Sequence, residues 1–137
     1  MAINIDKKYR SKFAFAKIKG IIPNPVTGQQ FPFDFECLVD TGFYGGFFVP
    51  NWFVSNAKSI GVNPYPTTIT LADGTDIPAL TCAAYLQQIE DYCFPSPGKL
   101  TFLVIYKKKC DEVMGMDALQ YFSVLFDGPN QTFKLIL

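Results

Sequence analysis

Chemistry has few places to reside in this chain. The 137 residues include no histidine, which removes Ser-His-Asp, Cys-His and histidine-based zinc mechanisms together. The four cysteines, Cys37, Cys82, Cys93 and Cys110, show no C-x-x-C spacing, and no group of thiols and carboxylates has the spacing of a zinc site. Carboxylates remain, and one of them is misplaced. Asp40 follows Leu38-Val39 and precedes Thr41-Gly42, where the alternation of the preceding residues predicts the deepest burial. A charge there is costly unless it is hydrogen-bonded, paired or put to use. Its plain structural reading is a cap on the turn over residues 42–46. Its chemical reading is a proton acceptor or donor.

The segments around Asp40 say how it is held. Phe31, Phe33, Phe35, Cys37 and Val39 fall on one face of an alternating run, with Pro32, Asp34 and Glu36 on the other and Leu38 the exception. Period two over such a length predicts a strand with one buried face. The chain then turns on Gly45-Gly46 and leaves through Phe47-Phe48-Val49, stopped by Pro50. Before it, residues 12–22 are strand-like, with Gly20 marking a candidate bulge. A Pro- and Gly-rich turn over residues 23–28 makes the two a hairpin.

Further on, residues 51–60 read as a short helix, and Gly61 stands where a helix C-terminal glycine belongs. Asp73-Gly74 between β-branched runs predicts a hairpin over residues 67–87. Residues 99–106 form an apolar run that fits a strand buried on both sides. Asp117 can cap a short helix over residues 118–122. A last hairpin joins residues 123–126 to 131–137 across Asp127-Gly128-Pro129-Asn130. Most of the chain is therefore strand, with one or two short helices, and the class is all-β.

Length and composition agree with one well-folded domain: hydrophobic residues make up 49% and aromatics 16% of the chain. Residues 1–11 are polar and read as a loose lead-in, leaving 12–137 as the domain. Twelve basic and twelve acidic side chains give zero net charge, so there is no electrostatic footprint for nucleic acid. The run Lys107-Lys108-Lys109 reads as a solvated loop. No apolar run approaches membrane-spanning length, and the N-terminus lacks the apolar core of a secretory signal. The expectation is a cytoplasmic protein whose cysteines are free, buried thiols.

Three segments in this order resemble the retroviral-like, single-lobe (retropepsin-type) aspartic protease family. Leu38-Val39-Asp40-Thr41-Gly42 resembles its active-site signature. Leu71-Ala72-Asp73-Gly74-Thr75 resembles the hairpin that follows, and Val113-Met114-Gly115 with the next few residues resembles its apolar-apolar-Gly segment and short helix. The resemblance spans about residues 12–137. It implies a closed β-barrel of the acid-protease lobe type and an aspartic endopeptidase that uses no metal and no cofactor. Two carboxylates about 3 Å apart share one proton because both cannot ionise cheaply. This chain carries one Asp-Thr-Gly, so the resemblance implies a homodimer in which each subunit supplies Asp40, acting on a peptide or protein substrate. Thr41 would hydrogen-bond across the dimer. Gly42 would let its N–H approach the carboxylate. Val113, Met114 and Gly115 would pack under the active-site loop. Leu71, Ala72, Asp73, Gly74 and Thr75 would form a flap over substrate, and Phe43 would line its pocket. Two other readings stay open: a catalytically inactive dimer of the same fold serving as a peptide-binding scaffold, and a monomeric β-barrel that binds a small molecule.

Phe43 departs from the family, which usually carries alanine, serine or threonine there. A hydroxyl at this position would bond the carboxylate and lower its pKa, and phenylalanine cannot. The expected pH–rate profile for peptide cleavage therefore peaks at mildly acidic to neutral pH. A peak near about pH 2–3 contradicts this reading.

Overall fold

The computed structural model describes residues 4–10, 12–41, 46–50, 53–70, 73–95, 99–106, 112–115, 119–120 and 122–136. The alternating runs become strands where they were expected. β1 is Asn4–Lys8, β2 Phe15–Pro23, β3 Gln30–Val39 and β4 Phe47–Pro50. The single described helix of more than one turn, α1, is Phe53–Ser59, and β5 (Tyr65–Thr70) and β6 (Asp76–Ile89) follow it. β7 (Tyr92–Cys93), β8 (Lys99–Tyr106), β9 (Val113–Met114), β10 (Ser123–Asp127) and β11 (Thr132–Ile136) complete the chain.

The strands form two sheets. The larger is eight-stranded in the order β2-β3-β9-β4-β8-β6-β5, with β7 beside β6 and a further ladder between β2 and β6. The smaller has the order β1-β11-β10. The class is all-β, as expected, but the sheet is not a closed barrel. The β3–β9 junction holds only two residue pairs, Leu38↔Val113 and Val39↔Met114. β5 remains an outer strand of the large sheet, and the three-stranded sheet is separate from it.

Residues 4–8 also differ from the loose lead-in expected of them. β1 pairs along its whole length with β11, from Asn4↔Ile136 to Lys8↔Thr132, and Ile5 is buried. The polar composition misleads because β1 lies against the core on one face only. Lys7 bonds Glu90 and lies 3.8 Å from Glu36, and Arg10 reaches Glu36 at 2.6 Å. These ion pairs tie the small sheet to β3 and to the end of β6.

The core collects the alternating faces. Phe33, Cys37 and Val39 of β3, Ile18 and Ile22 of β2, and Phe47 and Val49 of β4 are all buried. Helix α1 lies over this layer through Phe53 and Ala57. Phe53 meets Phe33 and Phe35 edge-on, with ring centroids 5.9 and 5.6 Å away. Its C-terminus is closed by a Schellman arrangement: Val62 N–H donates to the Ala57 carbonyl at 3.0 Å and Gly61 N–H to Lys58 at 3.0 Å. Gly61 has φ +80°, which glycine adopts without a Cβ penalty. Asn24, a buried polar residue, then locks the helix end to the β2–β3 turn. Its Nδ2 donates to the Ile60 carbonyl at 2.7 Å, and its Oδ1 accepts from Val26 N–H at 3.0 Å.

Gly20 sits at a bulge, as read from the sequence, though the extra residue belongs to β6. Lys19 pairs with Gln88 and Gly20 with Leu86, so Gln87 is left over. A Cβ at Gly20 would stand 2.5 Å from Phe33 Cζ and press on the Tyr85 carbonyl oxygen. Gly20→Ala is therefore expected to destabilise the fold by about 1–3 kcal/mol through overpacking. A lowered urea midpoint at unchanged slope is the check.

Candidate active site

Asp40 is presented by backbone bonds on two sides. Leu38 N–H donates to the Glu112 carbonyl at 2.8 Å, Val39 N–H to Ala14 at 2.8 Å, and Asp40 N–H to Met114 at 3.0 Å. On the far side of the loop, Gly115 N–H donates to the Gly46 carbonyl at 2.7 Å. β9 thus lies between β3 and β4, with Phe47 paired to Met114 and Phe48 to Val113. The entry and the exit of the Asp40 loop are fixed by the same short segment. That segment is the expected Val113-Met114-Gly115, with Met114 and Gly115 buried and Val113 half-buried.

The Asp40 side chain is half-buried and opens on a cleft of about 340 Å³ walled by Tyr9, Lys12, Phe13, Leu38 and Phe126. Lys12 and Phe13 come from a tight turn in which Arg10 and Phe13 exchange backbone bonds of 2.8 and 3.0 Å. Lys12 takes φ +70° there, a conformation uncommon outside glycine. The turn is held from below. The Arg10 guanidinium lies 4.2 Å from the centre of the Phe15 ring and bonds Glu36. The cleft therefore combines one carboxylate, one ammonium and aromatic walls. Such a carboxylate can hold or give up a proton to a water or a bound amide. Among the described residues no second carboxylate lines the cleft.

The other expected site residues are distributed unevenly. Thr41 is exposed beside Asp40. Gly42 and Phe43 lie outside the described residues, as do Leu71 and Ala72. Asp73, Gly74 and Thr75 form the exposed tip of the β5–β6 hairpin and do not line the Asp40 cleft. The last pair of that hairpin is Thr70↔Asp76, so the turn is wider than Asp73-Gly74 alone. Thr75 N–H donates to Asp73 Oδ1 at 2.8 Å, and Gly74 has φ +85°. The Thr75 backbone and side-chain hydrogen bonds hold the Asp73 carboxyl below its usual range. Asp117 and Ala118 lie outside the described residues, but the Leu119 N–H bonds the Gly115 carbonyl at 3.0 Å, a helical step.

No protein-family model, curated protein or solved structure matches this chain.

Tyr9, Lys12, Phe13 and Phe126 are cleft residues that the sequence reading missed. The left-handed turn at Lys12 has no glycine or asparagine to announce it. The signal for Phe126 was available: Val124, Leu125 and Phe126 are apolar in succession, which gives a short strand two apolar faces.

The three described thiols do not line the cleft. Cys37 is buried and donates to the Ala16 carbonyl at 3.5 Å. Burial, then the carboxylates of Glu112, Glu36 and Glu90, push its pKa well above the ordinary thiol value. Burial alone raises Cys82 to about 11. Cys93, expected in the core, is instead exposed on two-residue β7, because a strand that short gives it no covering neighbour. Cys110 lies outside the described residues. At about pH 8 an alkylating reagent should label Cys93 and spare Cys37 and Cys82 until the chain unfolds, read by peptide mass spectrometry. Cys82 keeps its proton in the folded state where the unfolded thiol, at 9.0, loses it. Its contribution to stability is intact below pH 9.0 and is lost as the pH rises towards about 11. The melting temperature should fall less steeply across that window in Cys82→Ala.

Proposed function

We propose that the chain is a homodimeric aspartic endopeptidase in which Asp40 of each subunit forms one proton-sharing pair. The observation that carries this is the setting of Asp40. It stands at the end of a buried strand, its own N–H tied to Met114, with its side chain at the rim of an open cleft. The opening gives a water or a bound amide access to the carboxylate. The pairing of β3 with β9 supports the same reading, since it joins the two segments on which the family resemblance rests, Asp40-Thr41 and Val113-Met114-Gly115. The exposure of Thr41 in the single chain suits a side chain that acts across a subunit boundary.

The chemistry follows from the residues present. Without histidine, water activation falls to carboxylates. The ionised Asp40 removes a proton from water as the water oxygen bonds to the peptide carbonyl carbon. The protonated Asp40 of the second subunit gives its proton towards the carbonyl oxygen. The C–N bond then breaks as the leaving nitrogen takes up the proton held by one Asp40, while a hydroxyl of the tetrahedral intermediate returns its proton to the other, so that the pair again shares one proton. Aromatic walls at Phe13 and Phe126 favour an extended substrate with apolar side chains.

Asp40→Asn keeps the shape and removes the titratable group. It should leave circular dichroism unchanged and lower cleavage of a mixed peptide library by at least about a thousandfold. Retained turnover in a clean preparation, or no turnover by the wild-type protein between about pH 3 and pH 8, sinks the protease reading.

A further inference from the structure

Of the described residues that wall the Asp40 cleft, only Asp40 and Lys12 carry charge; the rest are aliphatic or aromatic. Lys12 is exposed and forms no ion pair with any described residue. Arg10, in the same turn, is committed inward to Glu36 and the Phe15 ring. The turn thus anchors one cation against the sheet and leaves a second on the cleft wall. An ammonium without a protein partner can pair with an anion that a ligand brings.

The backbone keeps Lys12 there in an unfavourable conformation. Among the described residues, three other than glycine have positive φ: Glu90 at +50°, Gln131 at +51° and Lys12 at +70°. Glu90 and Gln131 lie in turns that close paired strands, β6 with β7 and β10 with β11. The Lys12 turn closes no such pair, since β1 and β2 belong to different sheets. It is held by the Arg10–Phe13 backbone bonds, and what it builds is a wall of the cleft. Strain that its surroundings sustain in this way points to use.

Symmetry decides the sign of the site. With Asp40 of each subunit in one pair, the assembled enzyme also carries one Lys12 on each side of that pair. The two aspartates share a proton, which leaves one negative charge between two ammonium groups. The joined clefts are therefore net positive on both sides of the bond that is cut. Their aromatic walls, with Phe13 58% and Phe126 42% exposed, still call for an apolar side chain. An extended peptide shows every second side chain to the same wall. We infer that Lys12 is a specificity-determining residue, and that the substrate is a peptide carrying a carboxylate side chain two positions from an apolar or aromatic one. The carboxylate is accepted on either side of the cut, because the site is two-fold. The inference rests on the Asp40 proposal and names its substrate class.

The test uses the full chain and peptides that contain Phe-Ala-Glu or Phe-Ala-Gln, with their reversed counterparts. The wild type should cleave the Glu peptides with a kcat/KM about fivefold above that of the Gln peptides, the worth of a partly exposed ion pair. Lys12→Met should bring the two together, Lys12→Arg should keep them apart, and Lys12→Glu should turn the preference to Lys. Circular dichroism is the folding control. Binding is read separately in an Asp40→Asn background, by fluorescence anisotropy of the same peptides carrying a label. The Glu peptides should bind about fivefold more tightly, less so in high salt, and Lys12→Met should remove the difference. Cleavage that treats Glu and Gln alike, or a Glu preference that survives Lys12→Met, overturns the inference and leaves the Asp40 proposal standing. A Glu preference in binding that depends on Lys12, in a protein whose wild type cleaves nothing, keeps the subsite and removes the protease.

Discussion

The rest of the structure depends on a two-residue strand. β9 reaches from β3 to β4, and with Glu112 and Gly115 on either side of it makes three backbone bonds that fix Leu38, Asp40 and Gly46. Backbone amides at a buried strand end must be paired. β9 and the residues flanking it satisfy the Leu38 and Asp40 donors on one side of the loop and the Gly46 acceptor on the other. The consequence is a main-chain frame on both sides of one carboxylate. A site built this way keeps its frame when neighbouring side chains vary.

The two sheets are held together differently. Inside the large sheet the contact is close packing: Gly20 lies under the Phe33 ring, and Phe53 is wedged among Phe33 and Phe35. Between the sheets, charge supplements packing, with Lys7 and Arg10 reaching Glu36 and Glu90. Partly exposed ion pairs contribute little each, so their role is to fix direction. They set β1 so that Ile5 enters the core and the turn through Lys12 lies beside Asp40.

Much of this was legible in the residues. The alternation of 31–39, the Gly61 helix end, the Gly20 bulge and the hairpin at Asp127-Gly128 each follow from local rules. What was not legible depends on distant partners. β1 is polar by composition and becomes a strand because β11 offers an edge. The insertion of two-residue β9 between β3 and β4 joins segments far apart in the chain, which no pattern of hydrophobicity encodes. At the site, Asp40 announced itself as a charge in an apolar context, whereas Lys12 and Phe13 reached the cleft through a left-handed turn without its usual residues.

Asn24 has a consequence that concerns time rather than stability. Asparagine is subject to slow chemical ageing, in which the nitrogen of the following peptide attacks the side-chain amide and expels ammonia. Here the following residue is Pro25, whose ring nitrogen has no hydrogen to lose. The amide that clasps the Ile60 carbonyl is thereby shielded from that decay, and the join between hairpin and helix does not acquire a negative charge as the protein grows old.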